Sequence, residues 1–136
     1  MSAVQDVVAA ILISGNKVLI AQRNKDDHLA ELWELPGGKV EQGETPEESL
    51  AREMREELGI NVAVGEFFAA STYNYAQGAI RLLAYRCQWV SGVMEASVHM
   101  DYKWVTANEL GHYVFAPADI PLVDQLKAAM IQMGHK

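Results

Sequence analysis

Residues Pro36–Ile60 read PGGKVEQGETPEESLAREMREELGI, and they spell out a chain break, a helix start and a helix stop. Pro36-Gly37-Gly38 interrupts regular structure. Thr45 is placed to cap free helical amides, Pro46 suits the first helical position, and Glu48, at the third residue after Thr45, closes a capping box. Gly59 is placed to end the helix in a left-handed conformation. The spacing therefore predicts a helix from Thr45 to Leu58. At about 100° per residue, Leu50, Ala51, Met54 and Leu58 make one apolar face, and Glu53, Glu56 and Glu57 gather on the adjoining one.

Like charges on one helix face repel by a few tenths of a kcal/mol per pair, roughly. Arg52 and Arg55 are expected off to the other side of the cluster, where they do little to relieve it. Carboxylates gathered on a rigid helix suit a hard divalent cation such as Mg²⁺, which takes oxygen ligands and keeps several waters. A solvated acidic face reads the same way, and the helix alone does not separate the two. Glu47 and Glu48 are expected as first-turn residues favoured by the helix dipole.

Outward from this helix, Val7 to Ile13 and Val18 to Ala21, with Ser14-Gly15-Asn16-Lys17 between them, read as a buried strand, a turn and a second strand. Gln22 to Lys39 reads as irregular. Val62 to Tyr73 and Ala79 to Val90 are strand-like, with a shorter run from Tyr102 to Val105. Thr106 to Leu110 reads as one helical turn. A last amphipathic helix is expected over Ile120 to Met133, with Leu122, Leu126, Ala129 and Met133 on one face. This order predicts a mixed α/β domain, a sheet covered by helices.

The chain has 136 residues, half of them apolar, with 11 Lys+Arg against 18 Asp+Glu and a formal charge of −7. That length suits a single domain over 1–136 that buries a real core without disulfides. The charge argues against a general nucleic-acid binder, and an acidic protein that handles a polyanion needs cations between them. The longest apolar run is too short to span a bilayer, the first residues lack a basic n-region, and one cysteine, Cys87, makes no intrachain disulfide. A cytoplasmic protein is expected, without membrane partners. Monomer and homodimer remain open.

Including the loop decides between a metal site and a solvated face. From Gly38 the chain runs five residues to Glu44 and seven more to Arg52-Glu53-Met54-Arg55-Glu56-Glu57-Leu58-Gly59-Ile60. This matches in full the Nudix box, G-x5-E-x7-R-E-U-x-E-E-x-G-U with U apolar. Seven fixed identities at set spacings arise by chance on the order of once in 10⁹ positions. The chain is identified as resembling the Nudix hydrolases of the MutT-type branch, closest to CTP pyrophosphohydrolase and 8-oxo-dGTP diphosphatase members. Val7 to Arg23, Leu32 to Lys39 and Phe115 to Leu122 extend the resemblance over most of the sequence.

The resemblance implies a mixed β-sheet sandwiched between α-helices, and hydrolysis of a (d)NTP to (d)NMP and pyrophosphate with Mg²⁺, for which Mn²⁺ could substitute. It implies Glu53, Glu56 and Glu57 as metal ligands with the Gly38 carbonyl, Glu53 also handling the attacking water. Arg52 is implied to hold a ligand carboxylate through a paired hydrogen bond, and Glu44 to support the loop–helix junction. Gly37 and Gly38 are expected to allow close approach and positive φ. Relatives often carry a glutamate six residues before the late-strand tryptophan; here that position is Val98, with Glu95, His99 and Asp101 nearby, one of which substitutes unless the role is absent.

By the same resemblance Arg23 and His28 would touch phosphate or base, and Trp33 and Leu35 would line the base pocket, although Trp33 suits a core aromatic equally well. Tyr73, Tyr75 and Arg81 belong to strands whose facing is open. Asp119 discriminates most: asparagine there both donates and accepts, whereas an ionised aspartate only accepts, which suits the amine of cytosine. Asp119 also suits an N-cap of the last helix. These residues favour (d)CTP or a 5-substituted dCTP, with 8-oxo-dGTP next. A nucleotide-sensing module without turnover, and a Nudix hydrolase of another nucleoside diphosphate derivative, are the alternatives.

Overall fold

The computed structural model describes residues 4–25, 29–95 and 101–133. Strands β1 (Gln5–Ser14) and β2 (Lys17–Gln22) form the expected hairpin-like pair, closing at Ser14 opposite Lys17. Two short strands follow, β3 (Trp33–Glu34) and β4 (Gly37–Lys39), and then helix α1 (Pro46–Leu58). Next come β5 (Ile60–Tyr75), β6 (Gly78–Gly92) and β7 (Asp101–Thr106), a 3₁₀ turn at Asn108–His112, and helix α2 (Ile120–Met133).

The strands join in the order β3-β2-β1-β6-β5, with β4 also on β1 and β7 also on β2. β1 and β6 run parallel, from Gln5 opposite Ile80 to Leu12 opposite Cys87, and the other pairs are antiparallel. A strand flanked by neighbours and covered on both faces needs apolar residues at every covered position, and β1 has them from Val7 to Ile13. Val8, Ala10 and Leu12 pack with Leu50, Met54 and Leu58 of α1, while Ala9 and Ile11 pack with Leu122 and Leu126 of α2. The mixed sheet sandwiched between helices is therefore present.

Two expectations are corrected. Gln22 to Lys39 is not wholly irregular, because β3 pairs with β2 and β4 pairs with β1. Strands of two and three residues leave no periodic signal, and β4 is largely glycine, a poor strand former. In α2 the buried set is Leu122, Val123, Leu126 and Met130, while Met133 is half exposed at the rim of a shallow groove with Ile13 and Gly15.

Candidate active site

Helix α1 is built as its sequence dictates. Thr45 Oγ1 accepts from the Glu48 amide at 3.1 Å, and Glu48 Oε1 accepts from the Thr45 amide at 2.9 Å. Gly59 closes the other end at φ 71°, where its amide reaches the carbonyls of Arg55 and Met54. With Leu50, Met54 and Leu58 wholly buried against the sheet, Glu53 and Glu57 are carried to the flank beside β4.

Gly37 and Gly38 are needed for close approach. A Cβ on Gly38 would collide with the Glu53 carboxylate, and one on Gly37 would collide with the Val8 carbonyl of β1. Neither takes the positive φ expected of it. Pairing with β1 holds both in extended backbone, so the absence of a side chain is what matters.

Arg52 corrects two further expectations. It leans into the acidic cluster instead of lying beyond it: Nη1 is 3.1 Å from Glu56 Oε1 and 3.6 Å from Glu53 Oε2. Its paired hydrogen bond goes to Glu44 rather than to a ligand carboxylate, with Nε to Oε2 at 2.6 Å and Nη2 to Oε1 at 3.0 Å. Nη2 also donates to the Lys39 carbonyl at 3.2 Å, and the buried Ser49 hydroxyl donates to that same carbonyl. One guanidinium thus ties α1 to the loop before it. The Arg52 hydrogen bonds hold the Glu44 carboxyl below the usual carboxylate range.

Glu53 and Glu57 line a cleft of about 720 Å³ together with Gly38. Burial pushes the Glu53 carboxyl upward against the opposing pull of Arg52. Burial, helped by repulsion from Glu53, Glu34 and Glu56, pushes Glu57 up to about 8. Two adjacent carboxyls that resist ionisation in this way gain from a cation placed between them. Glu56 is exposed, stands outside the cleft lining, and is paired with Arg52. Glu47 and Glu48 occupy the first turn.

Asp119 and Leu35 line the same cleft and touch each other. The Leu35 amide donates to Asp119 Oδ2 at 2.9 Å, and Asp119 is only 5% exposed. This side chain reaches across to the β3–β4 segment, while the Asp119 carbonyl accepts from the Val123 amide at the start of α2. Burial, reinforced by Glu34, pushes its carboxyl well above the ordinary aspartate range, against the pull of the Leu35 amide and of Arg23. Arg23 also lines the cleft, with Nη1 2.8 Å from Glu34 Oε1. Glu34 was missed by sequence reasoning. Its only signal is its place in a two-residue strand after the inward-facing Trp33.

Trp33 takes the core role. It is 8% exposed, stands outside the cleft lining, and packs edge-on to Tyr113 with ring centroids 4.9 Å apart. Its backbone bonds to Val114 and Ala116 draw the Phe115–Asp119 segment alongside β3. Tyr75 lines the cleft, but Tyr73 and Arg81 do not. Arg81 instead forms a two-armed pair with Asp6 at 2.9 Å. Glu95 and Asp101 are exposed and away from the cleft, while His28, Val98 and His99 lie outside the described residues.

The donor set suits a hard cation shared with a bound anion. Glu53 and Glu57 offer carboxylate oxygen and Gly38 lies against Glu53. Among the described residues no three His, Cys, Asp or Glu side chains converge enough to hold an ion alone. A magnesium-like ion that keeps waters and takes phosphate oxygens does not require that they do. No described helix is long and apolar enough to cross a membrane.

With this geometry in place, the family model for the NUDIX domain matches residues 4–131. The chain belongs to the Nudix family. Nudix hydrolases work with divalent metal ions and act on small-molecule nucleotide substrates. The chain is 41% identical over 123 residues to a protein of Escherichia coli K12 named CTP pyrophosphohydrolase, covering 90% of this chain and 91% of that one. It is 43% identical over 122 residues to the putative 8-oxo-dGTP diphosphatase 2 of Mycobacterium tuberculosis H37Rv, covering 85% and 82%. Among solved structures it resembles the E. coli ORF135 protein at a TM-score of 0.83 and 36% identity, over 99% of this chain and 96% of that one. This Nudix chain is a hydrolase by family and has the MutT-like fold.

Proposed function

We propose that this Nudix hydrolase is a Mg²⁺-dependent nucleoside triphosphate pyrophosphohydrolase that converts a (d)NTP and water to a (d)NMP and pyrophosphate. The observation that carries the reading is that Glu53 and Glu57, two carboxyls destabilised by burial, share one cleft with the Leu35–Asp119 pair. A triphosphate against the carboxyls and a base against Asp119 use both parts of that cleft. The relatives named for CTP and for 8-oxo-dGTP support the same substrate class.

Glu53 and Glu57, with Glu56 and the Gly38 carbonyl, would hold Mg²⁺, and Mn²⁺ would substitute. The bound metal supplies neutralisation of the phosphate oxygens and a more acidic water. Glu53 would orient or deprotonate the attacking water. Arg52 holds Glu44 and the Lys39 carbonyl, so the helix and the loop keep the carboxylates in register, and it steadies Glu53 and Glu56 from the side. Leu35 and Asp119 line the base end. Arg23, tied to Glu34, and His28 would contact phosphate or base, and Trp33 belongs to the core beside Leu35.

(d)CTP, a 5-substituted dCTP and 8-oxo-dGTP are the candidate substrates. A carboxylate that accepts suits the amine of cytosine and can also accept from guanine N1 and N2. Pyrophosphate release by wild type and Glu53→Gln, with Mg²⁺ and with chelator, tests the chemistry. Release that needs metal and falls at least about 10²-fold in the folded variant is expected. An unchanged kcat in the variant defeats the assignment. A panel of canonical and damaged (d)NTPs scored by kcat/KM names the base.

A further inference from the structure

Asp119 sits in a short turn that holds its place through contacts from elsewhere in the fold. Its carboxylate accepts the Leu35 amide at 2.9 Å, and its own amide donates to the Ala116 carbonyl at 2.9 Å. The residue before it, Ala118, is 1% exposed, and its amide donates to the Tyr75 hydroxyl at 2.9 Å. Tyr75 is the last residue of β5, at the far side of the cleft from β3, and it lines the cleft itself. Its ring packs beside that of Tyr73, with centroids 4.7 Å apart. The Asp119 turn is therefore pinned by two chain segments distant in sequence, the side chain by Leu35 and the backbone by Tyr75.

We infer that Tyr75 is a positioning residue for base selectivity, its hydroxyl holding the Ala118–Asp119 backbone so that the Asp119 carboxyl meets the nucleobase in one orientation. This rests on the proposed nucleotide reading of the cleft. Removing the hydroxyl leaves the ring in place and deprives a buried amide of its acceptor, which the turn relieves by shifting. A shift there re-aims Asp119 and leaves Glu53 and Glu57, on a different element, where they are. Selectivity then falls while the chemical step is kept.

The test measures binding of CMP and 8-oxo-dGMP by calorimetry, and kcat and KM on the matching triphosphates. Wild type, Tyr75→Phe, Asp119→Asn, the double variant and Tyr73→Phe as control are compared, each checked for folding by its thermal midpoint. Tyr75→Phe is expected to weaken the preferred monophosphate about five- to tenfold and the other less than about twofold, with KM raised and kcat nearly kept. The double variant is expected to lose no more than the worse single one, because both act through one carboxyl. Faster amide exchange at Ala118 is expected alongside.

Equal loss on both bases, no loss on either, a fall confined to kcat, or losses that multiply in the double variant would each overturn the inference while leaving the nucleotide reading intact. A wild type that neither binds nor hydrolyses any of these nucleotides overturns that reading and the inference with it. If Tyr75→Phe unfolds, unchanged relative affinity for the two bases in Asp119→Asn overturns the inference by itself.

Discussion

Arg52 and Glu44 are joined by two hydrogen bonds, Nε to Oε2 at 2.6 Å and Nη2 to Oε1 at 3.0 Å, across the junction between the glycine loop and α1. Lysine is a point charge and cannot reproduce that fork. Arg52→Lys is expected to lower kcat about 10–100-fold and raise the Mg²⁺ concentration needed for half-maximal rate. A metal titration of activity checks this.

The same contact makes stability depend on acid. Glu44 is held below its ordinary value of 4.5. Its contribution is present above that value and is lost as pH falls through the lower, folded-state value. The thermal midpoint of Glu44→Gln is expected to fall less steeply than that of wild type as pH is lowered below about 4.5.

Glu57 has the opposite sign. Its carboxyl is pushed up to about 8, so metal-free folded protein binds a proton there that the unfolded chain releases near 4.5. Between these values the native state holds more protons, and its stability is expected to fall as pH rises. Thermal melts in chelator from pH 5 to 8 should show this decline, and Glu57→Gln should flatten it. Metal must displace that proton, so metal affinity should rise over the same interval.

Neighbouring glycines should fail differently. An alanine at Gly37 meets the Val8 carbonyl, which is backbone and cannot yield; one at Gly38 meets the end of the Glu53 side chain, which can. Gly37→Ala is expected to cost about 1–3 kcal/mol or more in denaturant unfolding. Gly38→Ala is expected to keep most of its stability and lose activity, because the carboxylate is turned away.

Thr45→Ala removes half of the capping box and should cost about 1 kcal/mol, with kcat/KM within about twofold of wild type. Chemical denaturation beside a rate measurement separates the two.

The box from Gly38 to Ile60, the capped helix, the two-faced β1 and the sandwich they imply were all legible in the order of residues. Each depends on neighbours within a few positions or on a repeat of 2 or 3.6, and such patterns are written locally. Glu53 and Glu57 as a carboxylate pair belong to that class. The partner of Arg52, the presence of β3 and β4, the burial of Asp119 and the entry of Glu34 and Tyr75 into the cleft do not. Leu35 and Asp119 are 84 positions apart and Ala118 and Tyr75 are 43 apart, and no local pattern records which distant groups a folded sheet brings within hydrogen-bond reach. Capping and periodicity act over one or two turns, so the helix and its acidic flank are legible in the order of residues. What faces that flank, and how charged it can be, depends on burial and long-range hydrogen bonds that exist only once the chain has closed on itself.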